Sequence, residues 1–200
     1  MTTSSPVRLT AILLLAATVI LGTGTACSTP TRSTPTTATT TPASTIKWTA
    51  ESLTTAFAAI NQKLGPNPEW TRLDIANDGT SMSIEAVDPT NRDSIIKYHY
   101  TQATAQAELE QTVPNPAELR EQRGVGTFTS SEISLDTLLT IEPKALRDTA
   151  VRDGHVWDYV IGRRTNPPAF LIEVTVYGSD PVHDEKLADY DMTGKLISVS

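Results

Sequence analysis

Residues 28–45 read STPTRSTPTTATTTPAST, and 15 of these 18 positions are Ser, Thr or Pro. Nothing in such a run can bury apolar surface, so nothing offsets the conformational entropy lost on ordering it. Its prolines and crowded threonines favour extended backbone, with a reach of up to ~55 Å at ~3.1 Å per residue. The run therefore confines any hydrophobic core to residues 46–200, the length of one ordinary domain. It reads as a stalk, and its composition also makes it a candidate for O-glycosylation.

Ahead of the stalk lies AILLLAATVIL at residues 11–21, an uncharged apolar run that follows Arg8. Eleven such residues make ~16 Å of helix, short of the ~30 Å of a bilayer core. That length suits the hydrophobic region of a secretory signal. Gly24, Thr25 and Ala26 follow, and then Cys27, the one cysteine of the chain. Here the sequence resembles a bacterial lipoprotein signal: Thr25, Ala26 and Cys27 match the small-small-Cys ending of the lipobox, whereas Gly24 stands where that family carries a branched aliphatic residue. The resemblance implies removal of residues 1–26, lipidation of Cys27 with acyl chains such as palmitate, and anchoring to the cell membrane on its extracytoplasmic face. Gly24-x-Ala26 also suits an ordinary signal peptidase, which would leave Cys27 as a free thiol. On the lipoprotein reading, residues 27–46 are the lipidated cysteine and its stalk, and each buried methylene of the acyl chains contributes ~0.8 kcal/mol to anchoring.

With one cysteine, the domain at residues 47–200 has no internal disulfide and must be stabilised by its core. Loss of Arg8 with the signal shifts the formal charge from -7 to -8, with 23 acidic residues against 15 basic. An acidic balance argues against nucleic acid, whose phosphates demand Lys and Arg, and against electrostatic docking on anionic lipid. The first element is WTAESLTTAFAAINQKLGPNP, where Leu53, Phe57, Ile60 and Leu64 recur at helical spacing. Thr49 is placed to cap this helix, Trp48 to staple onto Leu53, and Gly65-Pro66 to end it. Strand-like runs follow at WTRLDIA, SMSIEAV and SIIKYHYT, the first two joined across Asp78-Gly79. Residues 102–127 are polar and read as a surface connector with a short helix near 116–122. SLDTLLTIEPKALRDTAVRDG then reads as a helix kinked or divided at Pro143, with Leu135, Leu138, Leu139, Leu146 and Ala150 inward and Gly154 at its end. The runs HVWDYVIGR, AFLIEVTVYG, KLADYD and KLISV complete the chain as strands.

The pattern predicts an α+β fold with helices packed on one face of a curved antiparallel sheet. It also suggests two degenerate helix-plus-hairpin repeats, at about 47–101 and 128–200, around the 102–127 connector. The closing stretch, with Asp191, Thr193, Gly194, Leu196 and Val199, resembles a PepSY-like unit, and the first repeat resembles units of actinobacterial lipoproteins. Tandem helix-plus-sheet units are also similar to the β-lactamase-inhibitor-protein architecture. These resemblances imply binding of a protein or peptide at the envelope, including inhibition of an extracytoplasmic hydrolase, rather than catalysis.

The residues themselves carry no catalytic signature: there is no G-x-S-x-G, no Gly-rich phosphate loop and no H-E-x-x-H. His99, His155 and His183 are scattered, and neither PVHDEK nor RDGHVWD sets ligands at metal spacing, so no metal and no cofactor is expected. The aromatic residues are more informative, because Tyr and Trp offer large rigid area with a polar tip. Trp70, Tyr98, Tyr100, Trp157, Tyr159 and Tyr177 all fall on expected strands, most of them as core. Alternation places Phe170, Ile172, Val174 and Val176 under the helix and Leu171, Glu173, Thr175 and Tyr177 on the other side. Tyr177, Trp157 and Tyr159 are the candidate binding residues, the side taken by the last two being open. The alternative function is a lipid or glycolipid carrier, which needs an apolar cavity. At 38% hydrophobic residues, signal segment included, the composition is lean for that role.

Overall fold

The computed structural model describes residues 47–180 and 184–200. The signal, Cys27, the stalk and His183 lie outside the described residues. Helix α1 (Ala50–Leu64) starts at a capping box: Thr49 accepts from the Ser52 amide, and Ser52 accepts from the Thr49 amide. It ends at Gly65, whose amide still bonds to Asn61 O at 2.9 Å while its φ of 84° turns the following chain out of the helix. The apolar face of α1, with Leu53, Ala56, Phe57, Ile60 and Leu64, is buried. Trp48 anchors the entry by donating its indole N–H to Ala76 O at 2.8 Å.

Strands β1 (Trp70–Ala76), β2 (Ser81–Val87), β3 (Ser94–Thr101) and β4 (Gln106–Pro114) follow as an antiparallel meander. The chain then passes through a short helix α2 (Ala117–Gln122) and a two-residue strand β5 (Val125–Gly126). Helices α3 (Leu135–Thr140) and α4 (Glu142–Thr149) come next. A second meander closes the fold: β6 (His155–Thr165), β7 (Pro168–Tyr177), β8 (Glu185–Asp191) and β9 (Leu196–Val199). The opening strands of the two meanders, β1 and β6, pair antiparallel at the centre, and β5 adds to the end of β6. The result is one antiparallel sheet in the order β4-β3-β2-β1-β6-β7-β8-β9. The expected α+β architecture is thus present.

One face of the sheet carries the core. Trp70, Leu73 and Ile75 of β1, Met82 and Ile84 of β2, Ile161 of β6 and Ile172, Val174 and Val176 of β7 are buried together with α1, Leu138, Ile141 and Ala145. Aromatic rings run through it edge to face: Phe57 meets Trp70 at 5.3 Å and Trp70 meets Phe128 at 6.1 Å. The helices are also tied to the last hairpin. Thr137 Oγ1 donates to Met192 O at 2.9 Å and Lys144 Nζ to Gly194 O at 3.3 Å. In that hairpin Asp191 Oδ1 accepts from the amides of Thr193 and Lys195 and from the Thr193 hydroxyl. These bonds, the Thr193 hydroxyl first, hold its carboxyl below the usual carboxylate range.

Three expectations need correction. Residues 106–114, expected within a surface connector, form strand β4 at the sheet edge, where only Ala107 is buried. An edge strand with one inward contact has no alternating signature to read. The helix after Ser134 does divide, but at Ile141 ahead of Pro143, which restarts the helical register. Ile141, Ala145 and Thr149 therefore face the core, while Leu139 and Ala150 are exposed. Finally, α4 ends at Ala150, which takes the left-handed conformation at φ 51°, four residues before the glycine expected to stop it.

Candidate binding face

The face of the sheet opposite the core is polar and charged. Along β7 the residues pointing there are Leu171, Glu173, Thr175 and Tyr177, opposite Gly162, Val160, Asp158 and His155 of β6. Alternation along β7 follows the expected facing, although Leu171 and Thr175 are themselves buried and Tyr177 is half-buried. Ion pairs and hydrogen bonds run along and between the strands of this face. Arg72 pairs with Asp74 at 2.7 Å, Arg164 with Glu173 at 3.5 Å and with Asp189 at 3.7 Å, and Ser83 Oγ lies 3.1 Å from His99 Nδ1. Burial raises the Glu173 carboxyl above the ordinary range, and neighbouring Asp189 adds to this against the opposing pull of Arg164 and Arg72.

A β-bulge decides where the candidate aromatic residues go. Val156 pairs with Val176 and Asp158 with Thr175, so Trp157 is an extra residue in β6. Strict alternation would place Trp157 with Tyr159 and Ile161. The bulge separates them. Val156, Tyr159 and Ile161 all enter the core, while Trp157 is 61% exposed. Tyr159 is thereby removed from the binding surface: its ring is buried and its hydroxyl donates to Asn77 Oδ1 at 2.8 Å. Burial pushes the Tyr159 phenol well above its usual pKa.

Trp157 and Tyr177 are brought together. Their rings meet edge to face at 5.9 Å, and the His155 ring lies 6.5 Å from Tyr177. Burial and then the neighbouring Glu185 carboxylate raise the Tyr177 phenol. The sequence reading missed the part of His155 in this cluster. Its only signal was period-two spacing to Trp157, and its place against Tyr177 follows only from the pairing of β6 with β7. Trp70 and Tyr100 are core, and Tyr98 packs against it. Among the described residues no group of His, Cys, Asp or Glu is arranged to hold a metal ion, and no helix is long and apolar enough to cross a membrane.

No protein-family model matches the chain, and no curated protein matches its sequence. Among solved structures, the crystal structure of a "putative lipoprotein" from Clostridium difficile 630 is similar to it, with a TM-score of 0.54 at 13% identity, over 74% of this chain and 91% of that one. At that identity the two share a fold and nothing more specific is shown, so neither the PepSY-like nor the β-lactamase-inhibitor-protein-like resemblance gains a family match. What stands is that an antiparallel sheet with helices on its apolar face, built here from this sequence, is a fold shared with a protein named as a lipoprotein.

Proposed function

We propose that this chain is a lipid-anchored, non-catalytic module of the cell envelope that binds a protein or peptide across the open face of its sheet. The observation that carries the reading is Trp157, 61% exposed at a bulge and set edge to face against Tyr177. A large aromatic ring left in water beside a polar-tipped partner is the kind of anchor on which interfaces concentrate their binding energy. The signal-like residues 11–26 ending at Cys27, the stalk and the fold shared with a protein named as a lipoprotein support anchoring. On this reading the two halves, each a helical segment leading into a four-strand meander, are degenerate copies of one unit resembling PepSY-like and β-lactamase-inhibitor-protein-like units. Inhibition of an extracytoplasmic hydrolase is one form such binding takes. The carrier alternative finds little support between helices and sheet, where the cleft among Trp48, Leu53, Ile75 and Tyr159 holds about 60 Å³. That is far below the ~300–1,000 Å³ of small-molecule sites.

The test is capture from envelope membranes with the full-length protein, wild type against a Trp157→Ala/Tyr177→Ala double variant. A partner retained by the wild type and lost from the double variant is expected, whereas identical sets from both would remove the sheet face from the proposal. In parallel, Cys27→Ser is expected to release the protein from membranes or leave it unprocessed. Mass spectrometry showing an N-terminus without acyl chains in the wild type would overturn the anchoring.

A further inference from the structure

At the end of the sheet away from Trp157, a cleft of about 420 Å³ opens on the same face. Its floor is Arg72, Glu85, Val160, Leu171 and Glu173, and its wall is the segment from Asn115 through α2 to Val125, with Arg120 and Arg123. The volume lies within the ~300–1,000 Å³ of small-molecule sites. Its charge is unlike that of the rest of the molecule. The chain carries a net -7, so arginines find carboxylates easily, and six of the eight arginines among the described residues do. The two with no carboxylate at ion-pair distance are Arg120 and Arg123, and both line this cleft.

Arg120 is fixed by main-chain acceptors: its Nη1 donates to Arg92 O at 3.0 Å and to Asn115 O at 2.5 Å. A guanidinium tied down at one nitrogen presents the remainder of its planar fork in a set orientation, the arrangement that recognises carboxylate and phosphate oxygens. Of the acids of the floor, Glu173 has an ion-pair partner, whereas Glu85 has none among the described residues. Glu173 faces Arg164 at 3.5 Å and feels Arg72, and Glu85 acts on Arg72 as well. Arg120 and Arg123 therefore outnumber the one unpaired acid of the cleft. Beside them Asn115 Oδ1 is buried and accepts no hydrogen bond from the described residues. A buried acceptor left empty costs free energy, and a hydroxyl or N–H of a bound molecule would satisfy it.

We infer that this cleft binds a small organic oxyanion, with its carboxylate or phosphate group held by Arg120 and Arg123, a hydroxyl on Asn115, and its apolar body against Val160 and Leu171. The site is independent of the aromatic cluster at the other end of the face. The experiment is a titration of the isotope-labelled full chain with citrate and, in a separate arm, with inorganic phosphate, following backbone amide shifts by NMR at constant ionic strength set with sodium chloride. Saturable shifts confined to Arg123, Gly124, Val125 and Gly162 are expected with at least one of the probes, and the arm that saturates at lower concentration identifies carboxylate or phosphate as the group recognised. Arg123→Gln, at a side chain with no hydrogen bond or ion pair among the described residues, should keep the fold and weaken binding about tenfold. Arg120→Gln/Arg123→Gln should abolish it, and Arg147→Gln, on the remote helix α4, should leave it unchanged. Shifts that fail to saturate in both arms, that persist undiminished in Arg123→Gln, or that fall equally in Arg147→Gln would overturn the site.

Discussion

The two faces of β7 are built from the same ten residues and obey different rules. On one side Ile172, Val174 and Val176 are sealed under the helices; on the other Glu173, Thr175 and Tyr177 meet a lattice of charges and rings. The inner face is held by area removed from water, which has no direction and tolerates no missing volume. The outer face is held by pairs whose worth depends on solvent, and exposed pairs contribute little to stability. One strand thus separates what keeps the protein folded from what it can offer to a partner.

Substitutions along β7 and its neighbour test that separation. Ile172→Ala leaves a cavity under the helices and should cost about 2–5 kcal/mol in urea unfolding. Val174→Ala, with less volume to lose, should cost about 1–3 kcal/mol. Trp157→Ala and Tyr177→Ala should each change stability by only about 0.5 kcal/mol, the scale of surface changes and of one aromatic pair. If Tyr177→Ala proves more damaging than Val174→Ala, the assignment of the faces is inverted. The smallest effect is electrostatic. The Glu173 pKa is raised in the fold, so its favourable contribution is present at low pH and is lost as pH rises through the folded value. Glu173→Gln should therefore raise the melting temperature at pH 7 relative to wild type. The difference should vanish below the ordinary carboxylate range, and a Glu173→Gln variant that melts below wild type at pH 7 would show that the ion pair with Arg164 outweighs burial.

Much of this was legible in the sequence wherever the local signal and the global fold agreed. Thr49 and Gly65 delimit α1 because a cap and a left-handed stop are local events, and Asp78-Gly79 joins β1 to β2 for the same reason. The facing of β7 was readable because that strand alternates without interruption. What stayed hidden depended on neighbours distant in sequence. β4 exists because β3 offers it an edge, and Phe128 is core because its backbone exchanges two 2.8 Å hydrogen bonds with Trp70. The bulge at Trp157 was equally hidden, since nothing in HVWDYV marks one residue as extra. For the candidate surface this meant that Trp157 and Tyr177 were named correctly as strand aromatics, but that Tyr159 could be assigned only from the pairing. The cleft arginines gave no signal at all, because Arg120 and Arg123 sit in a polar run and become notable only when every other arginine among the described residues has been matched with an acid.

The pairing of β1 with β6 at the centre of the sheet has a consequence for how the chain reaches this structure. Arg72 must find Gly162 and Ala76 must find Asp158, so the first meander remains a sheet with an open apolar flank until most of the chain has been made. Contacts between residues so far apart slow folding, because the loop between them must close before the contacts form. Synthesis delivers the N-terminal half first. In the interval α1 can fold over its own meander, whereas β1 waits with a row of unpaired amides and carbonyls that another chain could equally satisfy. The step that protects this protein from aggregation is therefore the arrival of β6, and conditions that delay it should divert more of the chain than conditions that weaken either half alone.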